Sequence, residues 1–255
     1  MKHFKKSVFF LNFLVIILAG CHHKENPLIL VSRSVGTIFQ EWLSKYDYNP
    51  DYINMYQVGS DSIDYYLNKS SGIILTGGPD INPALYGKED EIEKCRDIDY
   101  RRDTLEIRMI QYAMKNKIPL LCICRGIQIL NVTNHGTLIP DISTDYDTVI
   151  NHQRNQKMHW VNLVEGSMLQ KITRTTGDSV NSSHHQAIME IASSFKGVAF
   201  SEDGLVEAIE LADTSDHPFI LGVQWHPERM SSENSLSGPI AERFIMEVSK
   251  FHSQK

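Results

Sequence analysis

Short apolar runs bounded by polar or turn residues recur along this chain, and segments with helical spacing separate them. Pro27 to Ser32, Asn54 to Val58, Gly72 to Thr76 and Leu120 to Ile123 read as strands. Helices are predicted over Thr37 to Lys45 and Ser60 to Asn68. Between Arg101 and Lys117, Leu105, Met109 and Ala113, with Ile110 and Met114 offset, mark an amphipathic helix of about four turns that Pro119 follows. Arg125 to Thr133 reads as a helix joined to the preceding strand with almost no loop. The order β then α, with strands apolar throughout, predicts a parallel sheet covered by helices on both faces. Gly136 to Gly177 is less regular, with a strand at His159 to Val164. Beyond it lie short strands at Ser179 to Asn181, Val198 to Ser201, Val206 to Leu211 and Phe219 to Gln224, with a hairpin turn at Gly204 and a last helix from Gly238 to Phe251. No repeat and no long linker divides this pattern, so one three-layer α/β domain is expected over residues 27–252, its mostly parallel central sheet carrying additional short antiparallel strands.

The first residues follow a different pattern. Lys2, Lys5 and Lys6 precede an apolar run from Val8 to Ala19 that is too short to span a bilayer, and Leu18-Ala19-Gly20-Cys21 follows. Residues 1–20 therefore read as a signal peptide. The ending resembles the lipobox of bacterial lipoproteins, which makes Cys21 the lipidated first residue of the mature chain and residues 21–26 a short tether. Acylation at two points supplies the membrane attachment that one chain does not. The expected location is outside the cytoplasm, on a membrane facing the periplasm or cell exterior.

Composition narrows the partner class. Across 255 residues the formal net charge is −6, and no Lys/Arg run occurs beyond the first few positions, which argues against a nucleic-acid surface and for a small-molecule or peptide substrate. With Cys21 assigned to lipid, Cys95, Cys122 and Cys124 are an odd number in an exported chain, which leaves at least one thiol unpaired. Cys122 and Cys124, two apart on a strand, are expected to share a face but to lie too far apart to bond easily.

Candidate chemistry concentrates at two strand ends. Leu120-Leu121-Cys122-Ile123-Cys124-Arg125-Gly126-Ile127-Gln128 is a strand that meets a cysteine and turns at once into a helix. Such an elbow lifts a nucleophile above the sheet at the C-terminal ends of its strands, and the helix N-terminus favours the thiolate. Gly222-Val223-Gln224-Trp225-His226-Pro227-Glu228 ends another apolar strand with a histidine and, two residues on, a carboxylate. A cysteine nucleophile needs such a base and a group to orient it.

At these residues the chain resembles the class I glutamine amidotransferase superfamily, and within it the gamma-glutamyl-gamma-aminobutyrate hydrolase-like cysteine peptidases. The blocks that agree are Leu75-Thr76-Gly77-Gly78-Pro79-Asp80-Ile81-Asn82-Pro83 with Tyr86-Gly87, Ile123 to Gln128, Val180-Asn181-Ser182-Ser183-His184-His185-Gln186, and Gly222 to Glu228; Asp203 to Glu210 is similar as well. The resemblance implies Cys124 as nucleophile, His226 as general base and Glu228 as third triad member. It implies an oxyanion hole from the backbone N–H groups of Gly78 and Arg125, and Gln128, His184 and His185 at the substrate. Cys122 stands where the family commonly has glycine, a thiol placed to compete with or protect Cys124.

The implied activity is hydrolysis of gamma-glutamyl amide bonds, with no cofactor. The alternatives are a glutaminase feeding ammonia to a synthase, disfavoured because the chain carries no synthase domain, and a non-catalytic lipoprotein that binds gamma-glutamyl or peptidoglycan-derived ligands. No metal is expected at His152, His159, His184 or His185, because the sequence shows neither a histidine pair at i, i+4 nor a carboxylate cluster.

Overall fold

A computed structural model of the chain describes residues 26–46, 48–153, 157–215 and 219–255. Cys21 and the signal segment lie outside the described residues. Five strands run parallel in the spatial order β2 (Asp51–Asn54), β1 (Leu28–Val31), β3 (Gly72–Leu75), β4 (Leu120–Ile123) and β11 (Ile220–Val223). The same sheet continues antiparallel through β10 (Val206–Leu211), β9 (Phe195–Ser201), β6 (Lys157–Leu163) and β7 (Gly177–Ser182). Two further strands, β5 (Thr137–Ile139) and β8 (Ala187–Glu190), pair with each other, and β8 also reaches β10. This is the expected α/β architecture, with its antiparallel strands extending the parallel half into one mixed sheet.

Alternation along the parallel strands builds a core on each face. Ile29, Val31, Ile74, Leu121, Ile123, Leu221 and Val223 point into one layer, under α1 (Ile38–Leu43), α6 (Met168–Thr173) and α7 (Gly238–Ser253). Leu30, Ile73, Leu75, Leu120 and Cys122 point into the other, under α2 (Ile63–Lys69), α3 (Tyr100–Asn116) and α4 (Arg125–Thr133). Because both faces are covered, these strands tolerate no polar alternation, which is why they read as unbroken apolar runs. A short α5 (Ile142–Asp145) follows β5.

Local chemistry moves some boundaries. The strand predicted over Asn54 to Val58 lies instead at Asp51–Asn54 and shares only Asn54 with the prediction, because the Asn54 side chain accepts from Tyr56 N–H at 3.2 Å and starts a 3₁₀ turn over Met55–Gln57. The predicted turn at Gly204 is present between β9 and β10, with φ +88°. Lys117 in the left-handed region, φ 58°, closes α3 before Pro119.

Candidate active site

The nucleophile candidate sits in a strained turn. Between β4 and α4, Cys124 has φ 53° and ψ −108°, a conformation that costs on the order of 1–3 kcal/mol for a residue with a side chain. Hydrogen bonds on both sides hold it there: Cys124 N–H donates to Val223 O at 2.8 Å and Ile127 N–H donates to Cys124 O at 3.1 Å. The turn also separates the two neighbouring thiols. Strand alternation ends at Ile123, so Cys124 packs with the α1/α7 layer and Cys122 with the α2–α4 layer, and the shared face expected from an extended pair is not found. Gly126 lets α4 start against β3, since a Cβ there would lie 2.6 Å from Leu75 O.

β11 pairs with β4 in parallel, Val223 beside Ile123, and so brings His226 to Cys124. The His226 imidazole meets Glu228 Oε1 through Nδ1 at 2.8 Å and hydrogen-bonds the Cys124 thiol on its other side. The histidine backbone is pinned by β7: His226 N–H donates to Asn181 Oδ1 at 2.8 Å, and Asn181 Nδ2 donates to His226 O at 2.9 Å. Trp225, fully buried, donates from Nε1 to Leu236 O at 3.0 Å and fixes the strand exit.

Burial alone would push the Cys124 thiol up, but the charge and hydrogen bond of His226, then His184 and the Arg125 N–H, bring it below its ordinary value. Burial would lower His226, and Cys124 and Glu228 outweigh it, raising the imidazole to about 10. Both shifts favour the thiolate–imidazolium form of the pair. Burial raises Cys122 far above the ordinary thiol value, with Glu106 adding to it, and burial with Asp80 raises Cys95. Iodoacetamide should therefore modify Cys124 at neutral pH well before the other two. Equal rates at the three thiols, followed by peptide mass spectrometry, would refute the assignment. A histidine raised in this way carries its proton below its pKa, so hydrolysis should decline as the pH rises past about 10 and the leaving-group proton is lost.

The turn after β3 completes the constellation. Gly77 lies under the His226 ring, where a Cβ would come 2.5 Å from His226 Cε1 and 3.5 Å from Cys124 Cβ. Gly78 lies in the pocket wall beside Cys124, backed by the Arg102 guanidinium, and Arg125 N–H is directed at the Cys124 sulfur. Gly77→Ala should displace the imidazole and lower kcat by about 100-fold with little change in KM. A variant with unchanged kcat would show that the ring tolerates the shift.

Sequence reasoning missed the charged group beneath this turn. Arg102 and Arg125, each 1% exposed, both engage the buried Glu106: Arg102 Nε donates to Oε1 at 2.8 Å and Arg125 Nη1 to Oε2. Arg125 also pairs with Asp103. The same guanidiniums hold the turn after β3, since Arg102 donates to Thr76 O at 2.7 Å and Arg125 to Pro79 O at 2.8 Å. A signal was present: Arg102 and Glu106 form an i, i+4 pair on the helix face that carries Leu105, Met109 and Ala113, where solvated charges do not belong.

Cys124 opens into a pocket of about 870 Å³ that also takes in Gln128, His184 and His185. The Gln128 amide donates to Gln186 O at 2.9 Å and Gln224 Oε1 at 3.1 Å. His185 bridges Asp80 (2.9 Å) and Asp141 (3.1 Å), which outweigh the effect of its burial and raise its pKa. Arg33 and Arg101 both lie over the Tyr56 ring, 4.6 and 4.7 Å from its centroid, in the pocket lining. From the pocket wall inward, the fold gathers His184, His152 and His159 around Glu207.

Residues 52–228 match the peptidase C26 family. The chain is 37% identical over 187 residues to protein NtpR of Enterococcus hirae, covering 71% of this chain and 77% of that protein. It is 35% identical over 190 residues to the gamma-glutamyl-gamma-aminobutyrate hydrolase of Escherichia coli, covering 70% and 72%. Among solved structures, a glutamine amidotransferase from Thermotoga maritima superposes with a TM-score of 0.56 at 13% identity, covering 92% of this chain and all 100% of that one. A putative GMP synthase subunit from Thermoplasma acidophilum gives 0.60 at 16% identity, over 91% and 98%. At those identities the structures establish the class I glutamine amidotransferase fold alone. An elbow cysteine, a strand-end histidine and its carboxylate fall inside the matched residues, and this chain is a hydrolase-type member of the peptidase C26 family.

Proposed function

We propose that the protein hydrolyses gamma-glutamyl amides through a glutamyl thioester on Cys124. The observation that carries this reading is the Cys124–His226–Glu228 line: a strained thiol hydrogen-bonded to an imidazole whose far nitrogen is fixed by a carboxylate at 2.8 Å. The name of the Escherichia coli relative supplies the gamma-glutamyl class. In the first step the Cys124 sulfur attacks the side-chain carbonyl carbon, and the carbonyl oxygen takes up negative charge facing the Gly78 and Arg125 N–H groups. Collapse breaks the C–N bond as the amine leaves with the His226 proton. In the second, a water loses a proton to His226 and attacks the thioester, releasing glutamate and the thiolate.

The pocket suits the zwitterionic end of a glutamyl group. Arg33, Arg96 and Arg101 provide partners for an α-carboxylate, and Asp80, Asp97 and Asp99 for an α-amino group. Lipidation at Cys21 and display outside the cytoplasm belong to the same reading: an anchored enzyme acting on gamma-glutamyl amines or peptides beyond the membrane. Neither cofactor nor nucleic acid enters it.

The test is amine release from a panel of gamma-glutamyl-GABA, other gamma-glutamyl amines, gamma-glutamyl peptides and the gamma-linked D-glutamyl bond of cell-wall peptides. Cleavage of one class with the glutamyl adduct trapped on Cys124 is expected. A folded protein that cleaves none of them, and whose Cys124 fails to alkylate selectively, is instead a binding protein for such ligands.

A further inference from the structure

The histidine cluster inward of the pocket wall has the form of a metal site. His152 comes from the segment before β6, His159 from β6, His184 from the end of β7 and Glu207 from β10. Glu207 Oε1 lies 3.3 Å from His159 Nε2, 3.5 Å from His184 Nε2 and 3.8 Å from His152 Nδ1. Ligand atoms on a tetrahedral zinc, at bonds of about 2.0–2.1 Å, stand about 3.3 Å from one another. The four side chains are nearly inaccessible, from 0% for Glu207 and His152 to 6% for His159. Despite this, His152 Nδ1, His159 Nε2, His184 Nε2 and both Glu207 oxygens have no well-aligned hydrogen-bond partner among the described residues. Buried polar atoms are rarely left so, and these crowd one space without aligning as donor and acceptor.

Outer contacts fix the neighbouring rings. His152 Nε2 meets Asp203 Oδ2 at 2.9 Å, and His184 Nδ1 meets the Gln186 carbonyl at 3.0 Å. The Asp203 contact spends the His152 N–H outward and turns its Nδ1 lone pair inward, toward Glu207. Charge also closes: a divalent ion, the Glu207 carboxylate and the Asp203 carboxylate behind His152 sum to zero in an interior that does not tolerate excess charge.

We propose that His152, His159 and Glu207, whose ligand atoms all lie within 4.8 Å of one another, bind one zinc ion beside His184. The ion ties the segment before β6 to β6 and β10, next to His184, which lines the substrate pocket with His185 and Gln186. The proposal is independent of the substrate assigned above.

The test uses the full chain purified in mild detergent without chelator, in a Cys124→Ala background so that zinc on the thiol is not counted. Elemental analysis should find about one zinc per chain. Exchange for cobalt should give the intense visible bands of tetrahedral coordination. Glu207→Gln and His159→Asn should each abolish that spectrum, while an Arg101→Ala control retains it. Where either variant fails to fold, stripping and restoring zinc in the parent should lower and then recover the unfolding temperature. The proposal is overturned by a folded, zinc-poor parent that neither binds added zinc calorimetrically nor gains thermal stability from it. It is equally overturned if folded Glu207→Gln and His159→Asn proteins keep the full zinc content.

Discussion

Replacing Cys124 by alanine should lower amide hydrolysis by roughly 10⁴- to 10⁶-fold while leaving the fold intact, because removing one member of a unit that acts together removes almost all of its effect. In the proposed reaction the side chain is the nucleophile, whereas the hydrogen bonds that shape the elbow run through the Cys124 backbone to Val223 O and from Ile127 N–H. Alanine retains those bonds and the positive φ of 53°. The variant should therefore unfold at nearly the parental temperature yet form no glutamyl adduct. Serine is expected to rescue little, since a hydroxyl beside His226 does not ionise as the thiol does. Parent-like kcat in a folded Cys124→Ala protein would remove the elbow from the mechanism.

Glu106→Ala should cost about 3–5 kcal/mol, because it leaves two buried guanidiniums without their common carboxylate. Arg102 and Arg125 are each 1% exposed, and Asp103 then remains as the acidic partner of Arg125 alone. The loss should appear as a fall in the urea midpoint with an unchanged slope. It should also reach catalysis in whatever protein stays folded, since the same guanidiniums hold Thr76 O and Pro79 O on either side of Gly77 and Gly78. Glu106→Gln separates charge from shape: it keeps the volume and one acceptor, so a penalty close to that of alanine assigns the effect to charge. A urea midpoint equal to the parent's would show that the cluster is dispensable.

The legible parts of this protein are those whose signal is local. β4, the elbow and α4 are readable because an apolar run, a cysteine and a helical pattern follow one another without a loop, and the strand and helix fall at Leu120–Ile123 and Arg125–Thr133 as expected. The Trp225-His226-Pro227-Glu228 exit of β11 is readable for the same reason. β5 and β8 have no counterpart among the strands that the pattern predicts. Asn181 stood in a motif without a role, and only the pairing of its amide with the His226 backbone shows that it holds that residue in place. The expected common face for Cys122 and Cys124 failed at one residue, where a positive φ replaces strand geometry.

The sequence by itself determined which segments become strands and helices, that both faces of the parallel strands are buried, and which residue types stand ready at the two strand ends. Side-chain periodicity, turn chemistry and thiol–helix proximity act over a few residues, so they are written into the chain order. Tertiary structure alone decided that β11 lies beside β4 and thereby sets His226 against Cys124, that Glu106 receives two arginines under the turn after β3, and that His152, His159, His184 and Glu207 share one buried space. Strand neighbours are chosen by how the whole sheet buries its apolar faces and closes its hydrogen-bond ladder, and that choice has no local signature.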